Sequence, residues 1–358
     1  KGAFLIITGA GAEASGITVT DFGSAAVYNG AKISDSVVEA GGVLTMSYRK
    51  LNDGASAGSA ENITVKEDGL FWVGTLGSTA NNVTFEAGSF IGGFGLGEQG
   101  TTFTNSKVIG YDGSETELAN WDGGDYKVAN GLILLMSSRI ADDGADYVLD
   151  LSKVILDKGG AIQKSITDNT FSSADTVEGL RVIDPETGDV LDASISGGKA
   201  TNWVVNKGQE YTFGANDTGL IVYEGGVING NYSTAENQLT GRYVYDDGSV
   251  VAFSCADGVA ENLILDGKTL SIAAGGKSIN AVLTNGGVIN GMGGGATVEG
   301  GSVSGENSTI QITGADSVIS GTVLSGTEFA KIEVWDGAKA YDILVSAGAP
   351  IATGMGKK

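Results

Sequence analysis

The sequence predicts an all-β chain wound as an elongated β-solenoid, a right-handed β-helix with irregular central coils or an insertion. Three observations predict it. First, a short phrase recurs: Asn, apolar, any residue, apolar, then a glycine turn. It reads Asn62-Ile-Thr-Val65 before Asp68-Gly69, Asn82-Val-Thr-Phe85 before Ala87-Gly88, and Asn202-Trp-Val-Val205 before Lys207-Gly208. It returns as Asn262-Leu-Ile-Leu265 before Asp266-Gly267 and Asn280-Ala-Val-Leu283 before Asn285-Gly286-Gly287. The steps of 20 residues (62 to 82) and 18 residues (262 to 280) mark stacked supersecondary units. Second, the 358 residues include 59 glycines but only 2 prolines. Proline removes a ladder donor and glycine supplies positive φ, so this bias suits long ladders joined by tight turns. Third, apolar residues fall at alternate positions along the short runs, as a half-buried β surface requires.

The elements follow in three spans. Residues 1–125 read as solenoid repeats: Val37-Val-Glu-Ala-Gly41-Gly42-Val-Leu-Thr-Met46 is a strand, a turn and a returning strand, and Ile63–Val73 and Val83–Ile91 repeat that plan. In residues 126–200 the rhythm loosens into irregular coils or an insertion packed on the solenoid. Ala129–Met136 and Tyr147–Leu151 are apolar enough for buried strands, Asp184–Asp189 is a turn, and Ser173–Leu180 is the one stretch where a helix is expected. Residues 201–358 resume the solenoid, interrupted by Tyr243–Phe253, two apolar arms about an Asp-Gly hairpin turn. One strand-loop-strand unit per turn predicts roughly 12–18 rungs of about 20–25 residues. At about 4.8 Å per rung that is a rod on the order of 60–85 Å long. Val65, Val83, Phe85, Leu263, Leu265, Ile310 and Ile312 are expected to fill it.

Charge and composition exclude several functions. A net charge of −22 repels nucleic acid and anionic lipid, so neither is a partner. The chain holds no histidine, which excludes His-based triads and the usual transition-metal sites. No run of 18 or more apolar residues is present, so no transmembrane helix is expected. Lys1–Ile7 reads as a first strand rather than a signal peptide, and the chain is expected to be a mature or excised piece. Cys255 reads as a small buried hydrophobe.

The motifs that look chemical mostly have plainer readings. Gly95-Leu-Gly97-Glu-Gln-Gly100 matches a dinucleotide fingerprint, but the strand-forming Thr101–Thr104 follows where a helix is needed. Asp142-Asp143-Gly144-Ala145-Asp146 lacks the ligand spacing of an EF-hand, so weak calcium binding is the most it offers and no cofactor is expected. Asn-Xaa-Ser/Thr at Asn62, Asn82, Asn216, Asn231 and Asn307 is accounted for in part by the repeat itself. Trp72, Trp203 and Trp335 lie in strand phrases and are expected to be packed, whereas Trp121 lies among polar turn residues as a candidate for stacking on a sugar or partner.

The structural candidates are the repeat asparagines Asn62, Asn82, Asn202, Asn262 and Asn280. Stacked about 4.8 Å apart, each amide can donate to the one on the next rung and so satisfy buried amides without water. The plainer reading is that each asparagine starts a turn. Phe4, Leu5, Ile6 and Ile7 form an apolar first strand with no visible cap and are candidates for self-association.

The phrases Val37–Met46, Asn62–Val73, Asn82–Ile91, Asn262–Ile272, Asn280–Ile289 and Thr297–Gly321 resemble the strand-loop-strand repeats of autotransporter adhesin passengers of the diffuse-adherence (AIDA) type. The likeness covers roughly a quarter of the chain and leaves out its middle third. The resemblance implies a β-helix displayed on a Gram-negative cell surface, acting in adhesion, aggregation or biofilm. The leading expectation is therefore a cell-surface or secreted structural or adhesive protein that is not an enzyme. Its partners would be a cell-surface receptor, a glycan, or other copies of itself in a homo-oligomer or filament. The alternatives are a self-assembling fibre or coat subunit and a carbohydrate-active β-helix enzyme, a lyase or tailspike-like depolymerase, drawing on the chain's 43 carboxylates.

Overall fold

The computed structural model describes residues 2–46, 57–73, 77–93, 101–118, 126–136, 151–326 and 329–346. They form a parallel β-solenoid of about 14 turns. The one helical segment among the described residues is the three-residue 3-10 turn Leu151–Lys153. Contacts divide the chain into two compact units. One holds Lys1–Thr170, Val177–Ser194 and Asn206–Gln209; the other holds Phe171–Thr176, Ile195–Val205 and Glu210–Lys358.

In the first unit one sheet stacks Phe4–Thr8, Ser24–Tyr28, Val43–Met46, Leu70–Val73, Phe90–Gly93, Ile133–Leu135 and Ala161–Gln163, in that order and all parallel. A second sheet stacks Glu13–Ser15, Lys32–Val38, Ser59–Val65, Thr79–Glu86 and Lys107–Ile109. Glu115–Glu117 then closes that sheet in antiparallel sense. Every second residue points inward: Ile63 and Val65 are buried while Thr64 between them is not. The rings of Phe71, Phe85 and Phe103, tilted or edge-on to one another, fill one segment, with centroids 5.5–5.9 Å apart. The last strand of the first sheet is covered by two buried side chains: the Asn206 Nδ2 donates to the Gly160 carbonyl at 2.7 Å, and the Gln209 Nε2 donates to that of Ile162 at 2.6 Å. These amides stand where the N–H groups of a further strand would be, so the edge is not left open.

In the second unit the regular coils are three-sided. Val259–Glu261, Lys277–Ile279, Thr297–Glu299, Val318–Ser320 and Lys339–Tyr341 stack on one side. Ile264–Asp266, Val282–Thr284, Ser302–Val303, Val323–Leu324 and Leu344–Val345 form the second. Thr269–Ile272, Val288–Gly291, Thr309–Thr313 and Lys331–Trp335 form the third. A coil therefore takes 18 residues (Ile264↔Val282) to 22 (Thr309↔Lys331); the first is shorter than the 20–25 expected and the later ones fall within that range. Two of the sides meet at a corner of only two residues. At the head of this unit Asp217, with 0% exposure, accepts from the Ala200 N–H, the Tyr211 hydroxyl and the Gly214 N–H at 2.7–2.8 Å.

All seven residues expected in the interior are buried, none more than 1% exposed. Cys255 is buried as expected. The Tyr243–Phe253 hairpin forms, as Leu239–Val244 against Val250–Ala256, antiparallel. Three expectations need correction. The helix over 173–180 is absent: a turn leads into the Val177–Ile183 strand, and Gly179 takes φ +81°, which no right-handed helix accommodates. Trp335 is not packed. It is the outward-pointing last residue of its strand and 45% exposed. Trp72 is only half-buried, against the cluster of Leu70, Phe90 and Leu135, while Trp203 is buried.

Candidate functional site

The register places the repeat asparagines in two columns, one per unit. In the first unit Gly16, Asp35, Asn62, Asn82 and Asn105 occupy equivalent positions on successive coils. In the second, Asn262, Asn280, Gly300, Gly321 and Asp342 do. All ten sit at positive φ, between +49° and +69°. Asn202, at φ +48°, holds the same kind of position one residue after the Thr201↔Thr218 bridge, beside Gly219 at φ +67°. The left-handed conformation turns the chain through the corner in one residue while its N–H stays in the ladder: the Asn280 N–H donates to the Glu299 carbonyl and that of Gly300 to Ser320, both at 2.8 Å. Only Gly, Asn and Asp adopt this backbone routinely, and only they occur in these columns.

Side-chain bonding is secondary and differs between the two units. In the first, the Asn82 Nδ2 donates to the Asn62 Oδ1 and the Asn62 Nδ2 to the Asp35 Oδ1, both at 2.8 Å, and the Ser15 hydroxyl completes the run at 3.2 Å. The Asn62 amide, helped by the Ser15 and Ser34 hydroxyls, holds the Asp35 carboxyl below its usual range. In the second unit the Asn262 Nδ2 turns to the Ala252 carbonyl at 2.8 Å. The Asn280 Oδ1 lies 2.4 Å from where a Cβ on Gly300 would be, so glycine on that rung makes room for asparagine on the one before. The expectation of buried amides is not met: Asn62, Asn82 and Asn280 are exposed, Asn202 and Asn262 half-buried. Sequence matching on Asn alone missed Gly16, Asp35, Asn105, Gly300, Gly321 and Asp342. A search for any of the three positive-φ residues ahead of an apolar–x–apolar run finds Gly16 before Ile17-Thr-Val19 and Asp342 before Ile343-Leu-Val345, but not the other four.

The other candidates fall apart from these columns. Phe4, Leu5 and Ile6 are 49%, 39% and 48% exposed, Ile7 is buried, and the strand pairs in register with Ser24–Tyr28. Trp121, the glycine motif at 95–100 and the acidic run at 142–146 lie outside the described residues. Among the described residues no group of three or more Asp, Glu or Cys converges as a metal site would require. No helix there is long and apolar enough to cross a membrane.

No protein-family profile matches the chain, and no curated protein does. Six chains of known structure match. One is the "Crystal structure of TibC-catalyzed hyper-glycosylated TibA55-350 fragment", aligned over 96% of this chain and 89% of that one, at 16% identity and a TM-score of 0.26. A superposition that weak leaves the parallel solenoid to be read from this chain's own ladders.

Proposed function

We propose that this protein is a bacterial cell-surface or secreted structural and adhesive β-solenoid, acting in adhesion, aggregation or biofilm, without enzymatic activity. One observation carries the reading: outward-facing polar side chains repeat in register from coil to coil. Thr64, Thr84 and Lys107 form one such row and Asp35, Asn62 and Asn82 another. A row spaced about 4.8 Å apart offers the same weak contact many times over, which is how a rigid surface gains avidity without a deep pocket. The acidic charge and the likeness of the repeats to AIDA-type passengers support the same reading. No cofactor belongs to it, and calcium would at most bind weakly to acidic turns. Partners are a surface receptor, a glycan, or further copies of the chain.

The test is to coat beads with the purified chain, count their attachment to epithelial cells and to abiotic surfaces, and screen neutral and acidic polysaccharides for turnover. Attachment above that of an uncoated bead, with no turnover, is expected. Turnover abolished by one Asp or Glu substitution sinks the adhesive reading in favour of the enzyme. A second reading, self-assembly, is favoured by the three exposed apolar side chains of Phe4–Thr8. Sedimentation at high concentration, with and without residues 1–7, tests it: loss of oligomers on deletion supports assembly, and a strictly monomeric parent ends it.

A further inference from the structure

The second unit contains a break in its own pattern. The hairpin of Leu239–Val244 and Val250–Ala256 lies within the otherwise parallel sheet, between Leu220–Tyr223 and Val259–Glu261. On this one side of the stack two extra strands separate neighbouring coils. The other sides have no matching extra strands. Val227–Asn229 ends the short sheet it shares with Glu210–Thr212. Tyr232–Ser233 starts a new sheet against Thr269–Ile272, and Ile264–Asp266 starts another against Val282–Thr284. A cleft of about 180 Å³ opens at this mismatch.

Its walls are chemically mixed. Tyr223 and Tyr245 line it half-buried, with Ile264 and the 42%-exposed Val227 supplying apolar surface. The Tyr243 hydroxyl accepts from the Ile264 N–H at 3.3 Å, serving the open edge of that strand. Glu224 is fixed by one oxygen, which accepts from the Asp246 N–H at 2.9 Å. Asp266 is likewise fixed by one oxygen, which accepts from the Asn285 amide at 2.6 Å and the Thr284 hydroxyl at 3.1 Å. Each keeps its second oxygen for another donor. The Lys268 ammonium donates to the Asn229 Oδ1 at 2.7 Å and has two further hydrogens.

We propose that this cleft is a binding site for one neutral pyranose ring of a surface glycan. The donor and acceptor set selects the ligand class. Two carboxylates oppose an anion, and the ammonium that lines the cleft with them opposes a cation. A ring of vicinal hydroxyls satisfies both kinds of group, donating to Glu224 and Asp266 and accepting from Lys268. Tyrosines present the apolar-bodied, polar-tipped surface that covers the C–H face of such a ring. The volume decides the size, since sites for drug-sized ligands run to ~300–1,000 Å³ and this one is well below that. The inference rests on the adhesive reading above and names its ligand.

The full chain is titrated, by saturation-transfer NMR, with the methyl glycosides of glucose, galactose and mannose, and separately with N-acetylneuraminic acid and tetramethylammonium. Saturable binding of at least one neutral glycoside in the millimolar range is expected, with neither ion competing. Glu224→Gln and Asp266→Asn, at exposed positions that leave the thermal midpoint unchanged, should each weaken it roughly tenfold, and Tyr245→Ala should abolish it. No saturable binding by any of the three glycosides, an affinity unchanged from the parent chain in Glu224→Gln and Asp266→Asn, or preference for either ion overturns the proposal. Bead attachment is read on the same proteins. A chain that adheres but binds no glycoside overturns the cleft and leaves the adhesive reading standing; one that binds a glycoside but does not adhere does the reverse.

Discussion

Replacing Asn62 separately by alanine and by glycine distinguishes the two roles a corner asparagine can play. Its φ is +54°, and its side chain both accepts from Asn82 and donates to Asp35 at 2.8 Å. Alanine loses both bonds and must place a Cβ in the left-handed region, which costs about 1–2 kcal/mol per residue. The two bonds are exposed and compete with water, so they add little beside that strain. Glycine loses the same bonds without the strain, though its freer unfolded chain returns about 0.5–1 kcal/mol. Asn62→Ala is therefore expected to destabilise by about 2 kcal/mol and Asn62→Gly by about 1 kcal/mol or less. At Asn280, where the next rung already carries Gly300, the glycine variant should come out closest to neutral. Urea unfolding followed by circular dichroism measures both. If the glycine variant is as destabilised as the alanine one, the side-chain ladder fixes the corner and the backbone reasoning is wrong.

Four further outcomes are expected. Gly300→Ala, at φ +65° with a Cβ that would meet the Asn280 Oδ1 at 2.4 Å, should lower the urea midpoint more than Asn280→Gly does. Asp217→Ala strands the Tyr211 hydroxyl and two N–H groups in the interior and should cost at least about 3 kcal/mol by the same assay; a change below about 1 kcal/mol would mean water replaces the carboxyl. Burial pushes the Cys255 thiol up to about 11, so a thiol-specific disulfide reagent at pH 8 should label it only as the chain unfolds. For pH, Asp35, Asp112, Asp168 and Asp247 are held below the usual carboxyl range, chiefly by side-chain bonds from Asn62, Ser114, Thr170 and Ser249. A depressed folded pKa gives stability that is present above the unfolded value, about 3.9, and lost as pH falls through the folded one. Lys32 and Lys66, raised by bonds to Glu61 and Glu39, add stability that is complete below about 10.4 and lost above it. The thermal midpoint at 0.15 M salt should thus be flat between about pH 5 and 9 and fall on either side, and Asp247→Asn should reduce the acid limb.

Much of the solenoid was legible because two signals in the phrase are physically linked. The asparagine marks a corner, and the apolar–x–apolar run after it marks the inward face, so Asn262-Leu-Ile-Leu265 announces both the turn and the buried Leu263 and Leu265. The Asp246-Asp247-Gly248 hairpin was legible for the same reason, its turn chemistry being local: the Asp247 Oδ1 takes both the N–H and the hydroxyl of Ser249. What the corner requires is a value of φ rather than an amide, so its rungs are interchangeable among Gly, Asn and Asp. Reading on Asn alone saw two of the five positions in each column and supplied a buried-amide reason for residues that are exposed or half-buried. Ser173–Leu180 misled because its few apolar residues show no alternation, and only Gly179 hints at the backbone. The cleft could not be read at all. Tyr223, Tyr245 and Asp266 belong to three separate segments, and they meet only because a hairpin adds two strands on one side of the stack and none on the others.

The central claim is the parallel, in-register stacking of successive coils about a positive-φ corner. Inter-strand nuclear Overhauser contacts in a deuterated, backbone- and Asn-amide-protonated sample test it most directly. The account predicts cross-peaks between the side-chain amides of Asn62 and Asn82, and backbone contacts that keep a constant offset of 20 residues through Glu61↔Asn81, Ile63↔Val83 and Val65↔Phe85. Contacts whose residue numbers rise on one strand and fall on the other along 59–65 and 79–86 would make the pairing antiparallel and contradict it.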